Sequence, residues 1–145
     1  MYFVIVGEGP LKEEILKKRH ELKLEDRVIM AGLQSNVKPW LSMMDVYMMS
    51  SVFEGLPIAL LEAMSMECAI VTTDAGGIKE VIRHDQDGCL VGVDDWTSLS
   101  HGVLSMTDAA TRKRFASAAR KRVEQAFSLQ VMVDQLENIY RRHTQ

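Results

Sequence analysis

The chain is poor in the residues that staple, span or coat. Only two cysteines, Cys68 and Cys89, occur in 145 residues. They lie far apart without metal-ligand spacing, which excludes a disulfide framework and a zinc module. They read as reduced packing residues of a cytoplasmic protein. No apolar run approaches the roughly 20 residues that cross a bilayer; the run over 58–61 stops at Glu62. The first residues carry no basic leader, so no signal peptide is expected. Proline occurs three times, and no repeat or low-complexity linker is visible. Aromatics make up 6% and do not interleave with the basic clusters, which argues against nucleic-acid binding. The four histidines are scattered, and neither Ser51 nor Ser65 has the setting of a nucleophile elbow.

What is present is a globular composition, 47% hydrophobic and 26% charged, long enough for one domain with a real core. Ten methionines are expected to fill that core. The net charge of −3 hides an asymmetry. Residues 1–108 carry 9 Lys/Arg against 17 Asp/Glu, and residues 109–145 carry 8 against 3. The basic end either meets a membrane surface or forms the solvated face of packed helices, since Phe115, Val123 and Phe127 recur at helical spacing.

Short apolar, partly β-branched runs at 2–6, 28–31, 45–49, 69–72 and 89–91 predict strands buried on both faces. Helical stretches at 11–24, 36–43, 57–66 and 78–83 separate them, with Glu13/Lys17 and Glu14/Lys18 as i,i+4 pairs on the first. This alternation predicts an α/β fold, a Rossmann-like parallel sheet with helices on both faces. After residue 92 the pattern changes to helices over 96–106, 109–127 and 129–142, the last opened by Ser128 as N-cap. The expectation is one domain, 1–145, with an alternating core over 1–92. Residues 93–145 form a helical extension packed on one end of the sheet.

Three loops follow a strand and precede a helix, the place where ligands bind in such sheets. Gly7-Glu8-Gly9-Pro10 starts like a dinucleotide fingerprint but has Lys12 where the third glycine would fall. It is either a tight turn or a phosphate contact. The second loop, 50–57, ends in Glu54-Gly55-Leu56-Pro57. Pro57 suits a first helical turn, and the amides of Ile58 and Ala59 then point outward as an anion site. Glu62 is the only polar side chain over 58–64, on a helix that reads as buried nearly all round. Such a carboxylate must pair with Lys38, Lys79 or Arg83, or accept from ligand hydroxyls such as those of a ribose. The third loop, 72–77, closes on Gly76-Gly77. Each alone reads as a turn; together they describe one anion pocket. Asp85-Gln86-Asp87-Gly88 has the look of a metal motif, but an Asp-Gly turn accounts for it and no downstream Glu completes a calcium loop.

Glu54-Gly55-Leu56-Pro57 followed by Glu62-Ala63-Met64 resembles the E-x7-E signature of glycosyltransferase family four, the retaining group one transferases of GT-B fold. Gly7 to Pro10, Arg27 to Gly32, Asp45 to Ser50, Thr73 to Gly77, Glu80 to Ile82 and Asp87 to Val91 follow in the family's order, so the similarity covers nearly the whole chain. The resemblance implies a domain that binds a nucleotide diphosphate-sugar without a metal or other cofactor. Glu54 would be the catalytic-site carboxylate on hydroxyls of the transferred sugar. Gly55, Leu56, Pro57 and Ile58 would reach the sugar and phosphate, Leu61 the diphosphate, and Glu62 the ribose. Leu33 and Gln34 would lie by the base, and Gly7, Gly9, Gly76 and Gly77 would line the donor. The resemblance further implies attack on the same face as departure, with no protein nucleophile, and transfer of a hexose or N-acetylhexosamine to a glycan or lipid-linked acceptor.

Two departures stand out. The family's Gly and Pro after Met64 are here Glu67 and Ala69. The family's second domain also begins one βα unit earlier, with an Arg and a Lys for the diphosphate, behind an N-terminal acceptor domain. A fragment, or a second polypeptide supplying the rest, is therefore expected. The sheet should leave a gap beside the first strand, close it by rearrangement, or borrow a strand. The alternatives are a non-catalytic partner or regulatory module and a nucleotide-sugar epimerase fragment.

Overall fold

The computed structural model describes residues 1–143. Strands and helices alternate to residue 91, and three helices follow. The chain separates into two compact units, Met1–Trp40 and Leu41 onward. The sequence expectation of one domain, with an alternating core over 1–92 and helices after it, describes a different division. That division followed the change in element type, whereas compactness follows packing. The strands form two parallel sheets, and the break separates the first two strands from the other three, so that of the three expected outcomes the gap is the one that occurs.

In the first unit β1 (Phe3–Val6) and β2 (Val28–Gly32) flank α1 (Lys12–Glu21). The two strands pair in parallel, and the register shifts between Ile5 and Val6 so that Val6 faces Gly32. No residue of this unit is buried. One helix on a two-stranded parallel sheet cannot exclude water from both faces. The pairs expected within α1 do not occur among the ion pairs of the described residues. Lys12 instead meets Glu8 at 2.9 Å, and Lys18 meets Glu21 at 3.6 Å.

The second unit holds the core. Helix α2 (Lys38–Met43), within which the division falls, leads into β3 (Val46–Met49), α3 (Ile58–Ser65), β4 (Ala69–Thr73), α4 (Ile78–Val81) and β5 (Cys89–Val91). The parallel order is β3-β4-β5, and central β4 is buried at every residue, the only strand among the described residues that is. Ala69 and Val71 turn one face of it toward Leu99, Val103, Met106 and Phe115 of the following helices. Each large side chain so enclosed contributes about 2 kcal/mol. Helix α5 (Trp96–Ser105) can approach because Gly102 lacks a side chain. A Cβ there would stand 2.9 Å from both Cys89 Sγ and Val71 Cγ1.

Helix ends are closed by side chains. Asp95 caps α5 by accepting from the Ser98 amide at 2.9 Å, and Asp108 caps α6 (Ala109–Ala126) through the Thr111 amide at 2.7 Å. Ser128 Oγ accepts from the Val131 amide at 3.3 Å at the start of α7 (Leu129–His143). The arginines of α6 close the other ends. Arg120 donates to the Ser65 carbonyl at the end of α3, and Arg122 to the Glu80 carbonyl at 3.0 Å in α4. Arg114 reaches the Asp85 carbonyl, and Arg112 the Met106 carbonyl and the Asp45 carboxylate. Much of the C-terminal positive charge is thus engaged on orphan carbonyls. Helix α7 departs from expectation: it buries no residue, and its apolar stripe from Leu129 to Tyr140 stays exposed.

Candidate functional site

The second loop sits at the carboxyl end of β3 and the third at the carboxyl end of β4, side by side because those strands pair. They touch. The Gly77 amide donates to the Glu54 carbonyl at 3.2 Å. Gly76, at φ +59, presses so closely that a Cβ would stand 2.0 Å from the same carbonyl oxygen. Two of the three expected loops therefore form one structure, and the glycines are what permit it.

Pro57 is the N-cap of α3, one position before the first helical turn expected of it, with φ −75 and ψ 107. Its carbonyl accepts from the Leu60 amide at 3.1 Å and the Leu61 amide at 3.4 Å. The Leu61 amide is thus already engaged, by a long bond. No side chain caps this helix. The amides of Gly55, Leu56, Ile58 and Ala59 donate to no group among the described residues. Unpaired amides at a helix start, with the dipole behind them, attract an anion. A Cβ on Gly55 would meet nothing within 4 Å, whereas one on Gly77 would stand 2.3 Å from the Gly55 carbonyl oxygen.

Glu54 is half-buried, and its Oε1 accepts from Ser51 Oγ at 2.7 Å. Ser51 is tied in turn, because its carbonyl accepts from Thr73 Oγ1 at 2.6 Å. Ser51 and Thr73 were not chosen from the sequence. The Ser-x-x-Glu spacing was visible there, but the contact with Thr73 spans 22 residues and leaves no local trace.

Glu62 requires a correction. It was expected on a helix enclosed nearly all round, yet it is exposed. Helix α3 buries only Leu60, Ala63 and Met64 and leaves Ile58 63% exposed. An apolar sequence gave the wrong burial because only one side of the helix meets the core. Nor does Glu62 pair with Lys38, Lys79 or Arg83 among the ion pairs of the described residues. Its neighbourhood is marked by Tyr47 of β3. Burial pushes the Tyr47 hydroxyl above its ordinary range, and the charges of Glu54, then Cys68, then Glu62 push it further. Both carboxylates are within electrostatic reach of one hydroxyl.

Gly7, Gly9, Leu33 and Gln34 form a separate cluster within the first unit, at the carboxyl ends of β1 and β2. The Gly7 amide donates to the Gly32 carbonyl at 2.8 Å, and Gln34 Nε2 to the Ala31 carbonyl at 2.7 Å. Gly7 takes φ +129, a value that needs glycine, and Leu33 is 78% exposed. The 85–88 segment is a turn. Asp87 is fully buried, accepting from the Arg83 amide and from Arg83 Nε at 2.6 Å each. Among the described residues no three His, Cys, Asp or Glu side chains gather closely enough to hold a metal ion. No helix there is long and apolar enough to cross a membrane.

A family model described as glycosyl transferases group 1 matches residues 1–109. A Campylobacter jejuni N-acetylgalactosamine-N,N'-diacetylbacillosaminyl-diphospho-undecaprenol 4-alpha-N-acetylgalactosaminyltransferase is 34% identical over 136 residues, covering 92% of this chain and 37% of its own. An N-acetyl-alpha-D-glucosaminyl L-malate synthase from Bacillus anthracis is 35% identical over 138 residues, covering 94% and 36%. The chain therefore spans little more than a third of these relatives. In fold it is similar to HepE from Anabaena, solved with UDP, at a TM-score of 0.88 and 20% identity over 98% of this chain and 41% of that one.

Proposed function

Because the chain belongs to the group 1 glycosyl transferases, we propose that its second unit binds the diphosphate, ribose and sugar of a nucleotide-sugar donor. The whole protein then transfers that sugar to a glycan or lipid-linked acceptor. The observation that carries this reading is the join between Glu54 and Gly77. Next to it in the chain stand four amides, at Gly55, Leu56, Ile58 and Ala59, without a partner among the described residues, and two carboxylates, Glu54 and Glu62, that suit sugar hydroxyls. Phosphate oxygens accept from amides, and hydroxyls donate to carboxylates, so the two kinds of group match the two halves of such a donor.

In this reading Glu54 accepts from hydroxyls of the transferred sugar and Glu62 from those of the ribose. The open amides stabilise the diphosphate as it leaves, which is where negative charge develops. Attack from the same face then retains the anomeric configuration without a protein nucleophile or a metal ion. The UDP held by the Anabaena protein supports a nucleoside diphosphate as the first ligand to try. The undecaprenol-linked acceptor named for the C. jejuni relative supports a lipid-linked one.

Calorimetry with uridine, guanosine and adenosine diphosphates tests the donor site. One of them binds, and Glu62→Ala weakens it by about tenfold, the worth of a charged hydrogen bond. Equal affinity in the variant removes Glu62 from the ribose. Failure of all three to bind overturns the reading.

A further inference from the structure

We propose that Ser51 is a positioning residue, which holds Glu54 Oε1 so that Oε2 is presented to the transferred sugar. This rests on the donor-site reading above. Glu54 lies in a loop with no regular structure, and a glutamate there is free to turn about three bonds. Three hydrogen bonds remove that freedom. Gly77 fixes the Glu54 carbonyl, Thr73 fixes the Ser51 carbonyl from the buried end of β4, and the Ser51 hydroxyl fixes Oε1. Glu54 Oε2 has no partner among the described residues. One carboxylate oxygen is thus anchored to the sheet and the other is left to accept from a ligand hydroxyl.

The hydroxyl of Ser51 has its single proton committed to Oε1, so it cannot donate to the donor and its contribution is to the direction of Glu54. Its removal should therefore cost the sugar and spare the nucleotide. A Ser-x-x-Glu contact that merely closed a turn would instead change fold stability, or change affinity for nucleotide and nucleotide-sugar alike.

The test compares a nucleoside diphosphate with its glucose and N-acetylglucosamine esters by calorimetry on the wild-type chain, Ser51→Ala and Ser51→Thr. Thermal unfolding of each is followed in parallel. The expected result is unchanged diphosphate affinity in Ser51→Ala. The extra affinity contributed by the sugar falls by about tenfold and returns in Ser51→Thr, which restores the hydroxyl. If Ser51→Ala keeps that sugar increment while Glu54→Gln loses it, Ser51 has no positioning role and the donor reading stands. If Ser51→Ala weakens the diphosphate to the same extent as the ester, or Ser51→Thr fails to restore the increment, the proposal is likewise overturned. If the wild-type chain binds no diphosphate, the donor reading fails and this inference with it.

Discussion

The Gly77 amide and the Glu54 carbonyl meet at 3.2 Å, and this hydrogen bond joins the loop after β3 to the loop after β4. It is only as close as glycine allows, since Gly76 beside it has no Cβ to collide with the same oxygen.

Gly76→Ala follows directly from that contact. The new methyl meets the Glu54 carbonyl, and the residue must also hold φ +59. Together these cost about 2–4 kcal/mol. Urea unfolding should show the loss, and diphosphate binding should fall with it as the loops part.

Glu67→Gly should do the opposite. Glu67 takes φ +58 just after α3, where its amide donates to the Met64 carbonyl at 3.2 Å and the Cys68 amide to the Ala63 carbonyl at 3.1 Å. This is a Schellman turn, whose left-handed position favours glycine. The substitution should stabilise by about 1 kcal/mol, read as a raised urea midpoint.

Acid should loosen the helices after β5 by a route that two substitutions can remove. The Ser98 hydroxyl and amide hold the Asp95 carboxyl below its ordinary range, and the Thr111 amide and hydroxyl do so for Asp108. A depressed folded value means that this stability is present above the ordinary aspartate range of about 4 and is lost as pH falls below it. Unfolding free energy measured from pH 6 to pH 3 should decline, and less steeply in Asp95→Asn/Asp108→Asn, whose caps do not titrate. An unchanged slope would contradict the assignment.

Neither cysteine should alkylate readily in the folded chain. Burial, with a smaller effect of Asp45, pushes the Cys68 thiol up to about 11, and it donates to the Leu41 carbonyl. Burial also raises Cys89. Since the thiolate is the nucleophile, iodoacetamide at pH 8 should label both slowly until denaturant is added, as mass spectrometry would show.

The sequence by itself determined where elements begin and what kind they are. Apolar runs rich in β-branched residues placed all five strands within a residue or so of where they lie, and Ser128 announced α7, because such signals act over a few neighbouring residues. Glu54, Gly76 and Gly77 were legible as neighbours at one edge of the sheet because each stands in a short loop between a strand and a helix. Tertiary structure alone decided the rest. That Glu62 is exposed, that the sheet keeps its gap where it had been open to closing or borrowing a strand, and that Thr73 steadies Ser51 are outcomes of which surfaces meet. Those meetings join residues far apart in the chain, and no local pattern encodes them.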